Sequence, residues 1–270
     1  MTKEKAISEK KKLPDEEAAK QEVIEEVAEL DVPLGVKITK EFDKDSWTPK
    51  TELGRKVKAG EIKSPDDIFN IGIKILEPEI WDCLIPNLES DLLEIGQSKG
   101  KFGGGKRSIW RQTQKKTKEG NKPHFSTMAV IGNKNGYIGI GYGKAKETVP
   151  AREKAIRQSK LRLIKITRGC GSWECNCKEP HSLPFKVEGR CGSSRITLIS
   201  APKGAGLSVP VSCKRIFELA GIKDAYSKVV GQTKTRFNLI TACFEALQNL
   251  SKTKINPNYI SKSGLVDGAI

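Results

Sequence analysis

The sequence predicts an α+β protein in which two modules follow an extended N-terminal arm. One set of three strand-like runs and a helix lies within residues 99–168, and a second set of strands and helices lies within residues 169–251. The length of 270 residues exceeds the prior of about 150 residues for one domain. A hydrophobic content of 37% is enough to build folded cores.

The first 64 residues are predicted to be a tail and an arm. Residues 1–30 combine Lys and Glu without aromatic side chains, which favours a disordered tail or a marginal solvated helix. Residues 32–60 contain several Pro and Gly and few periodic apolar positions. We therefore expect this arm to wrap along a partner rather than to fold alone.

Residues 65–98 are predicted to be a helical segment. Ser64 is a typical cap, Pro65 suits the first helical position, and the two acids that follow face the positive end of the helix dipole. A helix should run near Ile68 to Leu76. A second short helix is expected through Trp81 to Leu93.

Residues 99–168 are predicted to form three strands and a helix. A basic, glycine-rich loop precedes a strand at 109–113, and a polar loop over 115–123 leads to a second strand at 125–131. Asn135-Gly136 is a typical hairpin turn into a third strand at 137–142. The helix that begins at Glu147 should bury Ala151, Ala155, Ile156, Ser159 and Leu163 and expose Lys154, Arg157 and Lys160.

Residues 169–251 are predicted to form a second α+β module, followed by a C-terminal tail over 252–270. After a cysteine-rich turn, the elements are strands near Leu183–Val187 and Arg195–Ser200, a glycine-rich loop over 201–206, a helix over 211–220, a strand over 225–230 and a helix over 236–250. Gly221 is a typical C-terminal cap of the first helix. The apolar stripe of the last helix predicts core packing and consists of Phe237, Ile240, Phe244 and Leu247.

Positive charge is concentrated in one part of the chain. Residues 97–168 hold 19 Lys and Arg against 3 Asp and Glu, a balance of +16 in a chain whose total is +15. Such a field attracts phosphates and gives salt-dependent binding to a polyanion. The candidate RNA-binding residues are Lys106, Arg107, Arg111, Lys115, Lys116, Lys122, Lys144, Lys146, Arg152 and Lys154, with Arg195 and Lys203 from the second module.

Catalytic and nucleotide-binding motifs fail on spacing. Gly100 to Lys106 has the Walker spacing, but Arg107 stands where a Ser or Thr must reach the magnesium ion. Glycines 139, 141 and 143 do not give the dinucleotide fingerprint. They allow either a nucleic-acid backbone or a helix to approach the strand closely. Neither His124 nor His181 sits in a catalytic pattern, so the sequence predicts no enzyme.

Cys170, Cys175, Cys177 and His181 are spaced C-x4-C-x-C-x3-H, a set of side chains that suits tetrahedral zinc. The C-x-C spacing is atypical, so reduced thiols in a tight turn are the alternative, and Cys191 is a substitute ligand. The N-terminus lacks a signal-peptide core, and no apolar run is long enough for a bilayer. These features predict a soluble, intracellular protein with reduced thiols.

Several runs of residues form a recognisable pattern. They are Gly139 to Glu147 (GIGYGKAKE), Pro180 to Ser193 (PHSLPFKVEGRCGS), Ala201 to Leu207 (APKGAGL), Leu219 to Asp224 (LAGIKD) and Gly231 to Asn238 (GQTKTRFN). On these residues the chain resembles the universal small-subunit ribosomal protein five family. The Pro-His-Ser segment and the long N-terminal part resemble the archaeal and eukaryotic branch rather than the bacterial one, and the cysteine-rich turn favours archaea.

The resemblance implies a double-stranded-RNA-binding-like domain over 99–168 and a βαβ-type domain over 169–251. It implies a structural constituent of the small ribosomal subunit that lines the mRNA entry channel and affects decoding accuracy through its interface with ribosomal protein four. The implied partners are small-subunit rRNA, mRNA at the entry channel and ribosomal proteins three, four and eight, without a membrane. The implied location is cytoplasmic and ribosome-bound. By position, the loop over 115–125 matches the family's extended hairpin loop, although Gly120 to His124 departs from its bacterial form.

Without the family resemblance, the residues are also compatible with two other functions. One is a free RNA-processing or regulatory factor, and the other is a small-molecule kinase built on the second module. The missing Walker residues weaken the kinase hypothesis, as does the lack of an acidic neighbour for Lys203 that would hold a metal. A structural protein stays on the small subunit at high salt, whereas a factor washes off.

Overall fold

Among the residues that the structure describes, three short helices precede the first strand and pack around their own apolar core. We analysed a computed structural model, which describes residues 44, 46–85, 87–100, 104–105, 107–256, 259–260 and 263–268. The predicted tail over 1–30 and the candidate Lys106 lie outside the described residues. The helices are α1 (Glu52–Ala59), α2 (Pro65–Ile71) and α3 (Glu79–Leu84). Their core contains Trp47, Leu53, Val57, Ile68, Ile80, Trp81 and Ile85, together with Tyr137 and Leu163 from later elements.

Part of the predicted arm folds onto these helices instead of staying extended. Thr51 caps α1 by accepting a hydrogen bond from the amide of Gly54, and Gly60 ends the helix in the left-handed conformation. Trp47, in the segment before α1, is buried in the same core. Arm residues from Trp47 onward therefore bury apolar surface within this chain.

The helical prediction for residues 65–98 is correct at its start and wrong at its end. Proline does occupy the start of α2, but the Ser64 side chain forms no capping hydrogen bond. The helix stops before Leu76 because Gly72 takes the left-handed conformation (φ 71°). The second predicted helix ends at Leu84, because the next residue has extended backbone immediately before a proline. Residues Glu89–Leu93 are instead the first strand, β1.

The first sheet is antiparallel and has five strands. They are β1, β2 (Arg111–Thr117), β3 (Gly120–Gly132), β4 (Tyr137–Ala145) and β5 (Leu163–Lys165), in the order β1-β3-β4-β5 with β2 also paired to β3. β1 and β2 share one edge of the long strand β3, because they pair with its second and first parts respectively. The predicted Asn-Gly turn joins β3 to β4, and Asn133 Oδ1 accepts hydrogen bonds from the amides of Asn135 and Tyr137.

The composition of residues 115–123 predicts a polar loop, and this prediction is wrong. The segment belongs to a β-hairpin formed by β2 and β3. Its register runs from Arg111 opposite Ser126 to Thr117 opposite Gly120. Backbone hydrogen bonds between the two strands depend little on side-chain polarity, and the exposed side chains simply remain in water. Lys118 and Glu119 are left as the two-residue turn.

Helix α4 (Thr148–Leu161) covers one face of the first sheet, close to the predicted position. Ala151, Ala155 and Ser159 are buried as expected, whereas Leu163 belongs to β5 rather than to the helix. Lys160 was predicted to be exposed, but it is half-buried and its ammonium lies 2.6 Å from the Asp82 carboxylate. This ion pair connects α4 to the helices at the N-terminal side.

The second sheet has the order β7-β8-β10-β9, and the helix Arg236–Lys252 packs against its strands β7 and β8. Its elements are β7 (Val187–Cys191), β8 (Ser194–Ser200), β9 (Leu207–Ser208), α5 (Val211–Ala220), β10 (Ala225–Val230) and α6 (Arg236–Lys252), after the short strand β6 (Thr167–Arg168). The strand predicted at 183–187 begins four residues later, since Pro184 cannot donate a ladder hydrogen bond. β9 and β10 are parallel and are joined through α5, which Gly221 ends as predicted.

One continuous apolar core runs beneath both sheets. It joins Met128, Val130, Ile138 and Ile140 of the first sheet to Ile196 and Leu198 of the second and to the inner faces of α5 and α6. The turn between β3 and β4 adds a backbone connection, because the amides of Lys134 and Gly136 bond to the last carbonyls of α5. The two sheets therefore form a single packed unit.

The predicted C-terminal tail contributes a strand, β11 (Val266–Asp267), which pairs with β6. Arg168 of β6 is 4% exposed and donates hydrogen bonds to Asn135 Oδ1 and to the carbonyl of Gly268. Burial lowers the pKa of this guanidinium. Among the described helices, none has both the length and the apolar content needed to cross a bilayer.

Candidate nucleic-acid interface

The β2–β3 hairpin projects a band of positive charge. Every residue of β2 except Thr117 is exposed, and residues 111–122 hold five Lys or Arg and one Glu. Within the part of the chain that the structure describes, Arg111, Lys115 and Lys116 form no ion pair. These cations are therefore available to an external anion.

Like charges face each other across the hairpin. Lys115 pairs directly with Lys122 in the strand register, an arrangement that destabilises an isolated sheet. Glu119 lies 2.9 Å from Lys122 and offsets only one of the two charges. A phosphate bound between the lysines would relieve their repulsion.

The strand register extends this basic face onto β4. Arg111 lies opposite Ser126, and Ser126 lies opposite Lys144, so the three form one row across the sheet. Alternation along β2 puts Lys115 on the same face as Arg111, and Lys116 on the other face. The hairpin thus presents cations on both faces, and one face continues to the end of β4.

The three glycines of β4 bring α4 close to the strand. A Cβ atom at Gly141 would lie 2.7 Å from the carbonyl carbon of Gln158 and would also meet the backbone of Ala155 and Ser159. The helix-packing interpretation is confirmed, and this face of β4 is covered by α4 rather than open to a nucleic-acid backbone.

The predicted cations near the start of α4 lie at the rim of this helix–sheet contact. Lys144 and Lys146 are exposed at the end of β4, Arg152 is half-buried in the first turns of α4, and Lys154 is exposed. Ion pairs to these four side chains are absent among the described residues. The rim therefore adds to the charge of the hairpin.

A basic cleft of about 630 Å³ opens between the first sheet and the start of α6. Arg107, Arg111, Lys234 and Arg236 line it, and the described lining residues include no Asp or Glu. Tyr142 and Phe237 also line it, and their rings meet edge to face with centroids 5.1 Å apart. Burial and the nearby Arg107 charge lower the pKa of Arg236. This combination of cations and aromatic rings suits phosphate and base contacts.

The two candidates of the second module lie apart from the hairpin. Arg195 is exposed on β8, directly opposite Arg190 in the strand register. The ammonium of Lys203 lies 2.7 Å from the Glu179 carboxylate, which raises the pKa of Lys203. Lys203 thus has a partner within the chain, whereas Arg195 faces another cation.

The predicted metal ligands converge. The ligand atoms of Cys170, Cys175, Cys177 and His181 all lie within 4.8 Å of one another. Cys191, the substitute ligand, stands at the end of β7 and does not belong to this group. The four residues could hold one metal ion.

The glycine-rich loop over 201–206 is not arranged as a phosphate cradle. The amides of Gly204 and Gly206 donate to Asp224 Oδ1, at 3.1 and 2.8 Å. The expectation that Lys203 has no acidic neighbour is wrong, because Glu179 lies 2.7 Å from its ammonium and Asp224 is buried against the loop. However, Asp224 Oδ2 lies 2.8 Å from His181 Nδ1, so both carboxylate oxygens are engaged.

Sequence reasoning missed Lys234 and Arg236 as cleft residues and Asp224 as a neighbour of His181. A signal for the first two was present, because cations at the N-terminus of a helix oppose its dipole and suggest another role. Asp224 lies 43 residues beyond His181, and no local pattern connects them.

Comparison with known proteins gives concordant matches in both parts of the chain. Residues 109–167 match the family model "Ribosomal protein S5, N-terminal domain", and residues 189–257 match "Ribosomal protein S5, C-terminal domain". Small ribosomal subunit protein uS5 of Nanoarchaeum equitans is 46% identical over 226 residues, which cover 84% of this chain and 97% of the relative. The uS5 protein of Methanocaldococcus jannaschii is 43% identical over 229 residues, 85% of this chain and 99% of the relative.

Both domain models occur in the expected order, and the archaeal relatives span most of the chain. The suspected resemblance is confirmed. The chain belongs to the ribosomal protein S5 family of small-subunit ribosomal proteins, which has a structural role in the ribosome and is not a family of enzymes.

Proposed function

We propose that this protein binds small-subunit rRNA through its β2–β3 hairpin and the cations at the rim of α4. The observation that carries the proposal is the direct opposition of Lys115 and Lys122 on an exposed hairpin, an arrangement that favours a bound polyanion. As a ribosomal protein it is bound to the ribosome in the cytoplasm.

The domain types follow from the same proposal. The order β2-β3-β4-α4 supports a double-stranded-RNA-binding-like domain over 99–168. The parallel pair β9–β10 joined through α5 supports a βαβ-type domain over 169–251. The basic cleft is lined by Arg107 and Arg111 of the first part and by Lys234 and Arg236 of the second, which supports a continuous RNA surface across both.

The second domain is proposed to contact proteins of the small subunit. Large apolar side chains stay exposed there, among them Trp173, Val211 and Val230 with 92%, 73% and 55% of their surface in contact with solvent. Such residues are typical of surfaces that a partner covers. Following the family resemblance, the partners proposed are ribosomal proteins three, four and eight, with a position at the mRNA entry channel and an effect on decoding accuracy through protein four.

The salt dependence of rRNA binding tests the hairpin. Replacing Lys115, Lys116 and Lys122 with Ala should reduce the slope of log K against log salt by about 2–3, since each phosphate contact contributes about 0.9. A control variant removes three exposed lysines from the N-terminal helical region: Lys56, Lys63 and Lys74. The proposal is wrong if both variants keep the slope of the unmodified protein.

A further inference from the structure

The turn from Cys170 to His181 joins the first sheet to the second and contains three thiols and one imidazole. We propose that Cys170, Cys175, Cys177 and His181 hold a structural zinc ion. All four ligand atoms lie within 4.8 Å of one another, and Cys175 Sγ is 3.9 Å from His181 Nε2. In a tetrahedral zinc site the ligand atoms are about 3.5–3.8 Å apart, because zinc–ligand bonds are about 2.0–2.3 Å long. Small side-chain movements would close the site.

The orientation of His181 supports this assignment independently. Its Nδ1 lies 2.8 Å from Asp224 Oδ2, with both side chains nearly fully buried. If Nδ1 carries the proton and donates it in this hydrogen bond, the lone pair of Nε2 points toward the thiols. A carboxylate that orients a histidine in this way is a regular feature of zinc sites.

The ligand set points to a structural rather than a catalytic ion. Four protein ligands fill a tetrahedron and leave no position for water or substrate. Cys170 and His181 are buried, and Cys175 and Cys177 are half-buried. Soft thiolates with one imidazole favour zinc over magnesium or calcium, which prefer oxygen ligands.

The ion would connect segments that are distant in the sequence and that meet at the cysteine-rich turn. The Cys170 amide donates to the carbonyl of Ser263 near the C-terminus, at 2.9 Å. The carbonyl of His181 accepts from the amides of Lys223 and Asp224. Asp224 in turn holds the glycine-rich loop through two amides. Zinc would therefore fix the cysteine-rich turn, the loop over 201–206 and the C-terminal segment together.

Zinc content of the full-length protein tests the proposal. Protein purified under reducing conditions without chelator should contain one zinc per chain by inductively coupled plasma mass spectrometry. Cys177→Ser should lose at least nine-tenths of it, whereas the control Cys191→Ser should keep it. Asp224→Asn keeps every ligand and should weaken zinc affinity about 10–100-fold in competition with a chromophoric chelator.

Cobalt substitution decides the case even if Cys177→Ser fails to fold. The unmodified protein with Co²⁺ should show the visible bands of tetrahedral cobalt and a thiolate-to-cobalt charge-transfer band. Absence of both bands, or of stoichiometric zinc after reconstitution, would overturn the proposal. Metal removal should also speed hydrogen exchange at the Gly204 and Gly206 amides, and unchanged exchange there would refute the coupling to the loop. None of these readouts depends on RNA binding.

Discussion

The close contact between β4 and α4 makes Gly141 sensitive to a single methyl group. In Gly141→Ala the new Cβ would lie 2.7 Å from the carbonyl carbon of Gln158, whereas carbon atoms normally approach to about 3.5–4.0 Å. Backbone atoms of Ala155 and Ser159 crowd the same point. Because backbone cannot rotate away as a side chain does, α4 must move from the sheet by about 1 Å.

The expected cost lies at the upper end of the range for overpacked cores, about 3 kcal/mol. For a chain of this size that corresponds to a fall in Tm of roughly 6–12 °C. Thermal and urea unfolding of the purified protein, followed by circular dichroism, measure both quantities. The variant should bind rRNA more weakly as well, because Arg152 and Lys154 move with the helix.

Gly60→Ala is the matched control. It introduces the same methyl group at a glycine with positive φ (81°), but apart from the adjacent residues no atom of the described chain lies within 4 Å of the new Cβ. Conformational strain alone should cost about 1–2 kcal/mol. If Gly141→Ala is no more destabilising than Gly60→Ala, the helix does not pack on the glycines as described.

Two further changes probe the contacts that join distant segments. Burial works to raise the pKa of Asp66, but the Tyr137 hydroxyl and the Lys165 ammonium outweigh it and hold this pKa below its ordinary value. Asp66 therefore stabilises the fold above about pH 4. The difference in free energy of unfolding between the unmodified protein and Asp66→Asn should shrink as the pH falls below that value. A difference that does not depend on pH would contradict this. Arg168→Ala removes the two hydrogen bonds that this buried guanidinium donates to Asn135 Oδ1 and to the buried carbonyl of Gly268, and should lower the free energy of unfolding by about 2–4 kcal/mol, measured by urea titration; a loss below 1 kcal/mol would show that these hydrogen bonds matter little.

Local patterns predicted most of the fold. The helix over 211–220, its glycine cap and the strand over 225–230 were placed at their observed bounds, because periodicity and turn residues agree there. The residue runs that carry the family resemblance each lie within, or next to, one of the two matched domains. Errors arose where a short signal was ambiguous, as in the helix predicted through Trp81 to Leu93, whose second half pairs with β3 as a strand.

Long-range contacts were beyond the reach of the sequence. The polar hairpin over 115–123 has no apolar alternation, so only its pairing with β3 identifies it as strand. The four predicted metal ligands are close in sequence and do converge, whereas Asp224, which orients one of them, could not be inferred. In the same way, Lys234 and Arg236 reach the cleft only because α6 packs beside the first sheet.

Sedimentation tests the central claim, that this protein is a structural constituent of the small subunit held by rRNA contacts. Gradient fractions from cells are washed at high salt and the protein is quantified by mass spectrometry. The account predicts one copy per small subunit after the wash, and a lower occupancy for the variant lacking Lys115, Lys116 and Lys122. Recovery of the unmodified protein only in soluble or pre-ribosomal fractions would contradict the claim and favour a processing factor.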